Sequence, residues 1–106
     1  MTRTPVQIRN EYLEYLRQLY SDVRDWVPGK RFEVSQDTTS LNEVAVGRYQ
    51  APVLQISERD RGRIATLAPK GAWIIGARGR VDLIGPMDVQ PILYLSAGGP
   101  TIKTMP

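Results

Sequence analysis

The sequence predicts an α+β domain in which one N-terminal helix is followed by a meandering antiparallel β-sheet. Apolar side chains have helical spacing in the first quarter of the chain, and from residue 31 onward they tend to alternate with polar ones. Clusters of Gly, Pro, Asp, Asn and Ser interrupt this second part about every 8 to 12 positions, as turns between short strands do. The sequence has no helical pattern between the strands that could serve as a crossover, so an antiparallel sheet is expected.

The helix is expected over residues 5–27. Thr4 can cap its first turn, and Pro5 fits the first helical position, where the amide hydrogen that proline lacks has no helical partner. Apolar and aromatic side chains fall on one side of a helical wheel and charged side chains on the other, which is typical of a helix that covers a sheet. Pro28 and Gly29 are expected to end the helix, because the residue before proline avoids helical angles and glycine allows a reversal.

Seven strands are expected, at residues 31–35, 43–46, 53–57, 63–68, 72–77, 80–84 and 92–95. Two of them, 72–77 and 92–95, are apolar on both faces, although a sheet covered by a helix on one side would expose the second face. Either the sheet curls into a barrel or sandwich, or the uncovered face meets a partner. Residues 1–95 are expected to form a single domain, and residues 96–106 a flexible tail.

Composition excludes much familiar chemistry. The 106 residues contain no Cys and no His, which removes the usual zinc ligands, the Ser-His-Asp and Cys-His nucleophiles, and disulfides. No apolar run approaches the roughly 20 residues that span a bilayer, and the N-terminus lacks the apolar core of a secretion signal. The sequence therefore predicts a cytoplasmic protein without a membrane partner.

The excess of basic residues is confined to one window of the chain. Residues 58–80 contain six Lys and Arg against two Asp and Glu, whereas the whole chain has a net charge of only +3. In an up-and-down meander alternate turns lie at the same end of the sheet, so the turns at 58–62 and 78–79 are expected side by side. This predicts a basic patch formed by Arg59, Arg61, Arg63, Arg78 and Arg80. The alternative is a solvated rim that Glu58, Asp60 and Asp82 partly neutralise.

Two functions fit these features. The first is a small non-catalytic interaction domain that binds another protein or a second copy of itself. In this reading the basic patch selects the partner by charge, and Ile74 and Ile84 supply apolar contacts on the uncovered sheet face. The alternative is weak binding of nucleic acid or a phosphate ligand through the same arginines, because guanidinium groups contact phosphate well.

No catalytic residue, metal site or cofactor is predicted. Glu58, Asp60 and Asp82 are each close to arginines and lie on predicted turns or an exposed strand face, where the burial that a general acid needs is not expected. The segment 76–79 lacks the lysine and the strand-to-helix context of a phosphate-binding loop. An enzyme that uses Asp82 stays open as a third reading, with no substrate to suggest for it.

Overall fold

The computed structural model of the protein describes residues 3–73, 78–96 and 99–102. Within these ranges the elements are α1 (Pro5–Trp26), β1 (Phe32–Glu43), β2 (Gly47–Glu58), β3 (Gly62–Gly71), β4 (Gly79–Ile84), β5 (Val89–Ser96) and β6 (Gly99–Ile102). Neighbouring strands are antiparallel and follow chain order, so the predicted α+β meander is confirmed. In this part of the chain β1 and β6 are the two edge strands and do not pair with each other, so the sheet is open rather than closed into a barrel.

Helix α1 begins and ends close to where the sequence places it. The Thr4 hydroxyl accepts a hydrogen bond from the Gln7 amide (3.1 Å), and the Gln7 side chain accepts one from the Thr4 amide (2.8 Å). This capping box satisfies two amides that the first helical turn leaves without partners. At the other end the Val27 amide donates to the Val23 carbonyl (3.1 Å), and Pro28 then prevents continuation.

The first hairpin differs from the expectation of two short strands at 31–35 and 43–46 with a loop between them. β1 is continuous from Phe32 to Glu43 and pairs along its whole length with β2. The turn follows at residues 44–46, where the Val46 amide donates to the Glu43 carbonyl (3.2 Å) and Gly47 has a φ of 93°. The polar segment 36–42 can be strand because β1 is an edge strand with solvent beside it and contains neither Gly nor Pro.

The expected strand at 72–77 is also corrected. Ala72 and Trp73 follow the end of β3 and are not strand, and residues 74–77 lie outside the described ranges. β3 pairs directly with β4, with Gly71 opposite Arg80, so no separate strand lies between these two in the sheet. Within the expected tail, residues 99–102 form β6 on the edge of the five-strand meander, and residues 103–106 lie outside the description.

The core lies between α1 and one face of the sheet. Its largest fully buried side chains are Tyr12, Leu16, Tyr20, Leu54, Leu67 and Val81. The Tyr12 hydroxyl donates to the Arg80 carbonyl (2.5 Å) and accepts from the Lys70 (3.2 Å) and Gly71 (3.3 Å) amides, which fixes α1 to β3 and β4. Among the described residues no helix is long and apolar enough to cross a membrane.

Candidate interaction surface

The five arginines of the predicted basic patch do not lie together. β3 and β4 pair with Gly71 opposite Arg80 and Thr66 opposite Ile84, so β4 begins at the end of β3 that is remote from Gly62. Arg59, Arg61 and Arg63 therefore lie at one end of the sheet, and Arg78 and Arg80 lie at the other. The expected juxtaposition required a separate strand at 72–77 between them, whereas β3 pairs directly with β4, and this reverses the geometry.

Arg78 and Arg80 are engaged by carboxylates of their own chain. The Arg80 guanidinium donates to both carboxylate oxygens of Asp82, at 2.7 and 3.3 Å, and only 8% of the Asp82 side chain is exposed. Arg78 donates to Glu11 on α1 at 2.8 Å. A guanidinium held in this way has fewer free donors for an external anion.

The other three arginines lie beside a second basic segment that sequence reasoning missed. The Arg59 amide donates to the Arg31 carbonyl (3.0 Å), and the Arg59 guanidinium donates to the Gly29 carbonyl (3.0 Å). These bonds bring the turn after α1 against the turn between β2 and β3. The resulting cluster is called the basic end, and its members are Lys30, Arg31, Arg59, Arg61 and Arg63.

Charge at the basic end is only partly neutralised. Arg31 pairs with Glu58 at 3.1 Å and Arg59 with Glu33 at 3.2 Å. Lys30, Arg61 and Arg63 are exposed and have no ion pair or side-chain hydrogen bond within the described ranges. The signal available in the sequence was the Lys30-Arg31 pair directly after the end of the helix.

An apolar cleft lies between the C-terminal half of α1 and the sheet. It has a volume of about 420 Å³ and almost no polar surface, and its lining residues are Leu19, Val23, Trp26, Ile56, Leu67, Leu83 and Ile92. Leu19 is buried, Val23 is half-buried and Trp26 is 69% exposed, so exposure along this side of α1 increases toward the C-terminus of the helix. The cleft is large enough for several aliphatic side chains or a small ligand.

A smaller cavity connects the apolar cleft to the basic end. It measures about 210 Å³ and is lined by Trp26, Val27, Pro28, Phe32, Ile56, Ile64 and Ala65. Trp26 and Ile56 line both cavities, which makes them contiguous. The Arg31 guanidinium lies 5.5 Å from the centre of the Phe32 ring, within the range of a cation–π contact. Apolar surface and positive charge thus adjoin at one end of the molecule.

Ile84 and Arg63 meet on the opposite face of the sheet. Leu83 faces α1, so the adjacent Ile84 points away from it, because side chains alternate along a strand. Ile84, Arg63 and Thr66 help to line a depression of about 270 Å³. Ile74, the other predicted apolar contact, lies outside the described ranges.

The opposite end of the molecule carries a second exposed aromatic ring. The Glu43 carboxylate accepts hydrogen bonds from the Ala72 and Trp73 amides, each at 3.0 Å, and from the Tyr49 hydroxyl. These bonds fix the backbone of Trp73, whose side chain is 57% exposed. Within the described part of the chain no group of three acidic, His or Cys residues could hold a metal ion.

Comparisons of the chain with known protein families, with curated proteins and with solved structures gave no match. Function therefore has to follow from the surface itself.

Proposed function

We propose that this domain is a non-catalytic protein-binding module whose binding surface is the apolar cleft together with the basic end. The observation that carries the proposal is the contiguity of an almost wholly apolar cleft, the largely exposed Trp26 and a smaller cavity whose Phe32 ring is contacted by the Arg31 guanidinium of the basic end. Partly exposed tryptophan and arginine are the residues that most often dominate the binding energy of protein interfaces. Unpaired charges beside the cleft favour an acidic partner and raise the association rate.

Photocrosslinking tests this proposal. A benzophenone amino acid replaces Trp26 in one variant and Arg17 in the control variant, since Arg17 is exposed on the side of α1 that faces away from the cleft. After irradiation in lysate of the source organism and nuclease treatment, we expect a protein adduct of defined mass from position 26 and none from position 17. Absence of a protein adduct at position 26 would contradict the proposal.

Charge variants separate selection by the basic end from general electrostatic attraction. Lys30→Ala with Arg61→Ala removes two unpaired cations from the basic end, and Arg48→Ala with Lys70→Ala removes two exposed ones from the opposite end. We expect the position-26 adduct to weaken at least severalfold in the first pair and to persist in the second. Equal loss in both pairs would show that net charge, not the basic end, attracts the partner.

Nucleic-acid binding is the second candidate, favoured by the unpaired Lys30, Arg61 and Arg63 and by the exposed ring of Trp26. Its signature is binding of a labelled RNA or DNA oligonucleotide at about 50 mM salt that weakens steeply as salt increases. Such binding, together with position-26 adducts that nuclease removes, would replace protein binding as the function. Sedimentation at increasing protein concentration distinguishes self-association from binding of a different protein. If the partner is a different protein, we expect the domain alone to stay monomeric.

A further inference from the structure

Strand β1 presents an open edge along its whole length. It has 12 residues, from Phe32 to Glu43, and within the described part of the chain it pairs with β2 on one side only. Natural edge strands are usually short, or carry lysine, proline or a bulge that hinders further pairing. β1 contains no Lys, Arg, Pro or Gly, and its register with β2 is regular. These protections are therefore missing from β1.

The pairing of Thr38 with Pro52 shows which backbone groups face this edge. Proline has no amide hydrogen to donate, so this pair takes a position without hydrogen bonds between the strands. The Thr38 amide donates to the Asp37 carboxylate (2.9 Å) and the Phe32 amide to the Pro28 carbonyl (3.1 Å), neither of which belongs to β2. Bonded and unbonded pairs alternate along an antiparallel ladder. The other positions whose amides and carbonyls face the open edge are therefore Val34, Gln36, Ser40 and Asn42.

The open edge is accessible to a partner. Gln36, Thr38, Ser40 and Asn42 are all exposed. Arg24 of α1 contacts Gln36 only through the side chain, at 2.8 Å, and no strand of the described ranges lies beyond β1. Free amides and carbonyls along such an edge are the groups that bind an added strand.

Charge disfavours a second copy of β1 as the partner. In a symmetric antiparallel pair the two-fold axis passes through the same residue of both strands, and pairing along most of β1 places this axis at Asp37 or Thr38. An axis at Asp37 puts the two Asp37 carboxylates opposite each other, and an axis at Thr38 puts Glu33 opposite Glu43. Like charges directly opposite each other destabilise a strand pair. A strand of opposite charge fits the edge better.

We propose that the open edge of β1 binds an extended segment of a partner protein, which adds to the sheet as an antiparallel strand and carries Lys or Arg opposite Asp37. Asp37 is exposed and has no ion pair among the described residues, whereas Glu33 is paired with Arg59. Asp37 lies about 20 Å along the strand from Arg31 of the basic end. The inference uses neither the apolar cleft nor the basic end, so it goes beyond the proposed function and does not rest on it.

Asp37 links the charge of the partner to backbone pairing. Its carboxylate accepts from the Thr38 amide, which is one of the donors that an added strand uses. Gln36 contacts α1, so the adjacent Asp37 points to the other face of the sheet, away from Arg24. Side chains directly opposite in an antiparallel pair have Cβ atoms about 5 Å apart, close enough for an ion pair. A basic side chain there attracts the carboxylate and frees the Thr38 amide, whereas an acidic one is repelled.

The test uses a synthetic extended peptide as the probe. It has about nine residues, which span about 30 Å and so most of β1. Lysine alternates with threonine or valine, so that every lysine lies on one face. One control peptide has glutamate in place of each lysine. Two others are N-methylated, either at the threonines and valines, whose amides face β1 in the proposed pairing, or at the lysines, whose amides face solvent.

We expect the lysine peptide to bind at least tenfold more tightly than the glutamate peptide and than the peptide methylated at threonine and valine. Methylation at the lysines should change the affinity much less, because those amides make no bond to β1. Binding should shift the backbone amide resonances of Gln36 and Asn42, which places the peptide at the open edge.

A proline variant tests the edge from the side of the protein. Ser40→Pro removes one outward amide at a position that tolerates proline, because that amide makes no bond to β2. Ser40→Ala is the reference, since both variants lose the hydrogen bond from the Gln50 side chain (2.7 Å) and only proline removes the amide. Ser40→Pro should bind the lysine peptide at least tenfold more weakly than Ser40→Ala does.

A second pair of variants tests the charge. Asp37→Asn removes the carboxylate charge but keeps an oxygen that can accept from the Thr38 amide, and it should weaken binding of the lysine peptide at least severalfold. Asp60→Asn makes the same change in net charge at an exposed turn between β2 and β3, and it should leave binding unchanged.

No binding of the lysine peptide, or equal binding of the peptide methylated at threonine and valine, overturns the added strand. Equal binding of the glutamate peptide, or equal effects of Asp37→Asn and Asp60→Asn, overturns the charge assigned to the partner. A dimer of the free protein that persists in Ser40→Ala and is lost in Ser40→Pro makes a second copy the occupant and also overturns the proposal. Circular dichroism shows whether each variant is folded, and if Ser40→Pro is not, the N-methylated peptides decide the outcome.

Discussion

The ring of Tyr12 lies directly against the backbone of Gly79, so closely that a Cβ on Gly79 would stand 2.5 Å from the Tyr12 Cδ1 atom. Tyr12 cannot move aside readily, because its ring is fully buried and its hydroxyl bonds to backbone groups of three residues. We therefore expect Gly79→Ala to lower the free energy of unfolding by about 1 to 3 kcal/mol through overpacking. Urea denaturation followed by circular dichroism measures this.

Gly29→Ala is the matched control, because a Cβ at Gly29 would meet nothing within 4 Å and its backbone does not require glycine. We expect a change within about 0.5 kcal/mol, as for most surface substitutions. Equal stability of Gly79→Ala and the wild type would mean that α1 and β4 are not packed as closely as described.

Local patterns predicted the helix well because its signals lie within the helix itself. The apolar spacing and the Thr4–Pro5 start are enough to place α1.

The hairpin at 44–46 was missed, although it has the same Glu-x-x-x-Gly pattern as the turn that follows Glu58. In both turns the backbone carbonyl of the glutamate, Glu43 or Glu58, accepts a hydrogen bond from the amide three residues later. The glycines that follow, Gly47 and Gly62, both have positive φ. Alternating Val44 and Val46 suggested a strand, but both belong to this turn.

The candidate site was less predictable because it depends on relations between distant elements. One extra expected strand was enough to place Arg78 and Arg80 at the wrong end of the sheet. The apolar cleft lies between α1 and side chains of β2, β3, β4 and β5, and no local pattern encodes how the helix packs across these strands. Trp26 was assigned to the apolar side of α1 from its spacing, but that spacing does not predict that 69% of the residue is exposed.

Tyr15 offers a stabilising substitution. Its hydroxyl is buried and has no hydrogen-bond partner among the described residues, whereas the Tyr20 hydroxyl lies 2.9 Å from the Pro52 carbonyl and 3.2 Å from that of Leu67. A buried hydroxyl with no partner costs about 1 to 3 kcal/mol, so Tyr15→Phe should leave stability unchanged or raise it by about 1 kcal/mol. Tyr20→Phe should instead lower it by about 1 to 3 kcal/mol. A loss for Tyr15→Phe as large as that for Tyr20→Phe would contradict the assignment.

The buried tyrosines predict a loss of stability in alkali. Burial raises the pKa of Tyr15 from 10.0 to about 12, and it raises the pKa of Tyr12 and Tyr20 as well. Above pH 10 these phenols ionise in the unfolded chain before they ionise in the folded one. The stability they contribute is therefore complete below pH 10 and is lost as pH rises through the folded-state pKa values.

Urea denaturation between about pH 8 and pH 11 tests this. The free energy of unfolding should fall with a limiting slope of about 1.4 kcal/mol per pH unit for each such tyrosine. The Tyr15→Phe variant should lose stability less steeply above pH 10 than the wild type does. Parallel curves for the two proteins would show that Tyr15 ionises as readily folded as unfolded.

Glu43 should hold the backbone of Ala72 and Trp73, directly after β3, in place. Its carboxylate accepts from the Ala72 and Trp73 amides and from the Tyr49 hydroxyl, so Glu43→Ala leaves these donors without their partner. We expect this variant to lose about 2 to 3 kcal/mol of its free energy of unfolding and to show faster amide hydrogen exchange at residues 72 and 73. Glu33→Ala removes only an exposed ion pair with Arg59 and should change stability by at most about 1 kcal/mol. Unchanged exchange at both amides in Glu43→Ala would refute this role.

Glu11 predicts a loss of stability in acid. Burial tends to raise the pKa of its carboxyl, but hydrogen bonds from Arg78 (2.8 Å) and Arg3 (2.9 Å) outweigh burial and hold that pKa below 4.5. The stability that Glu11 contributes is therefore present above the unfolded-state pKa of 4.5 and is lost as pH falls through the lower folded-state value. Glu11→Gln should cost about 0.5 to 1 kcal/mol at pH 7, because solvent partly screens these ion pairs.

The difference in stability between Glu11→Gln and the wild type should shrink as pH falls below 4.5. It should disappear once Glu11 is protonated in both the folded and the unfolded wild type, since glutamine and a protonated glutamate are both neutral. Urea denaturation of the two proteins from neutral pH to about pH 3 measures it. High salt should also reduce the deficit at pH 7, because it screens attraction between partly exposed charges. A deficit that is the same at every pH would instead mean that Glu11 stabilises α1 against β4 by packing, with no contribution from its charge.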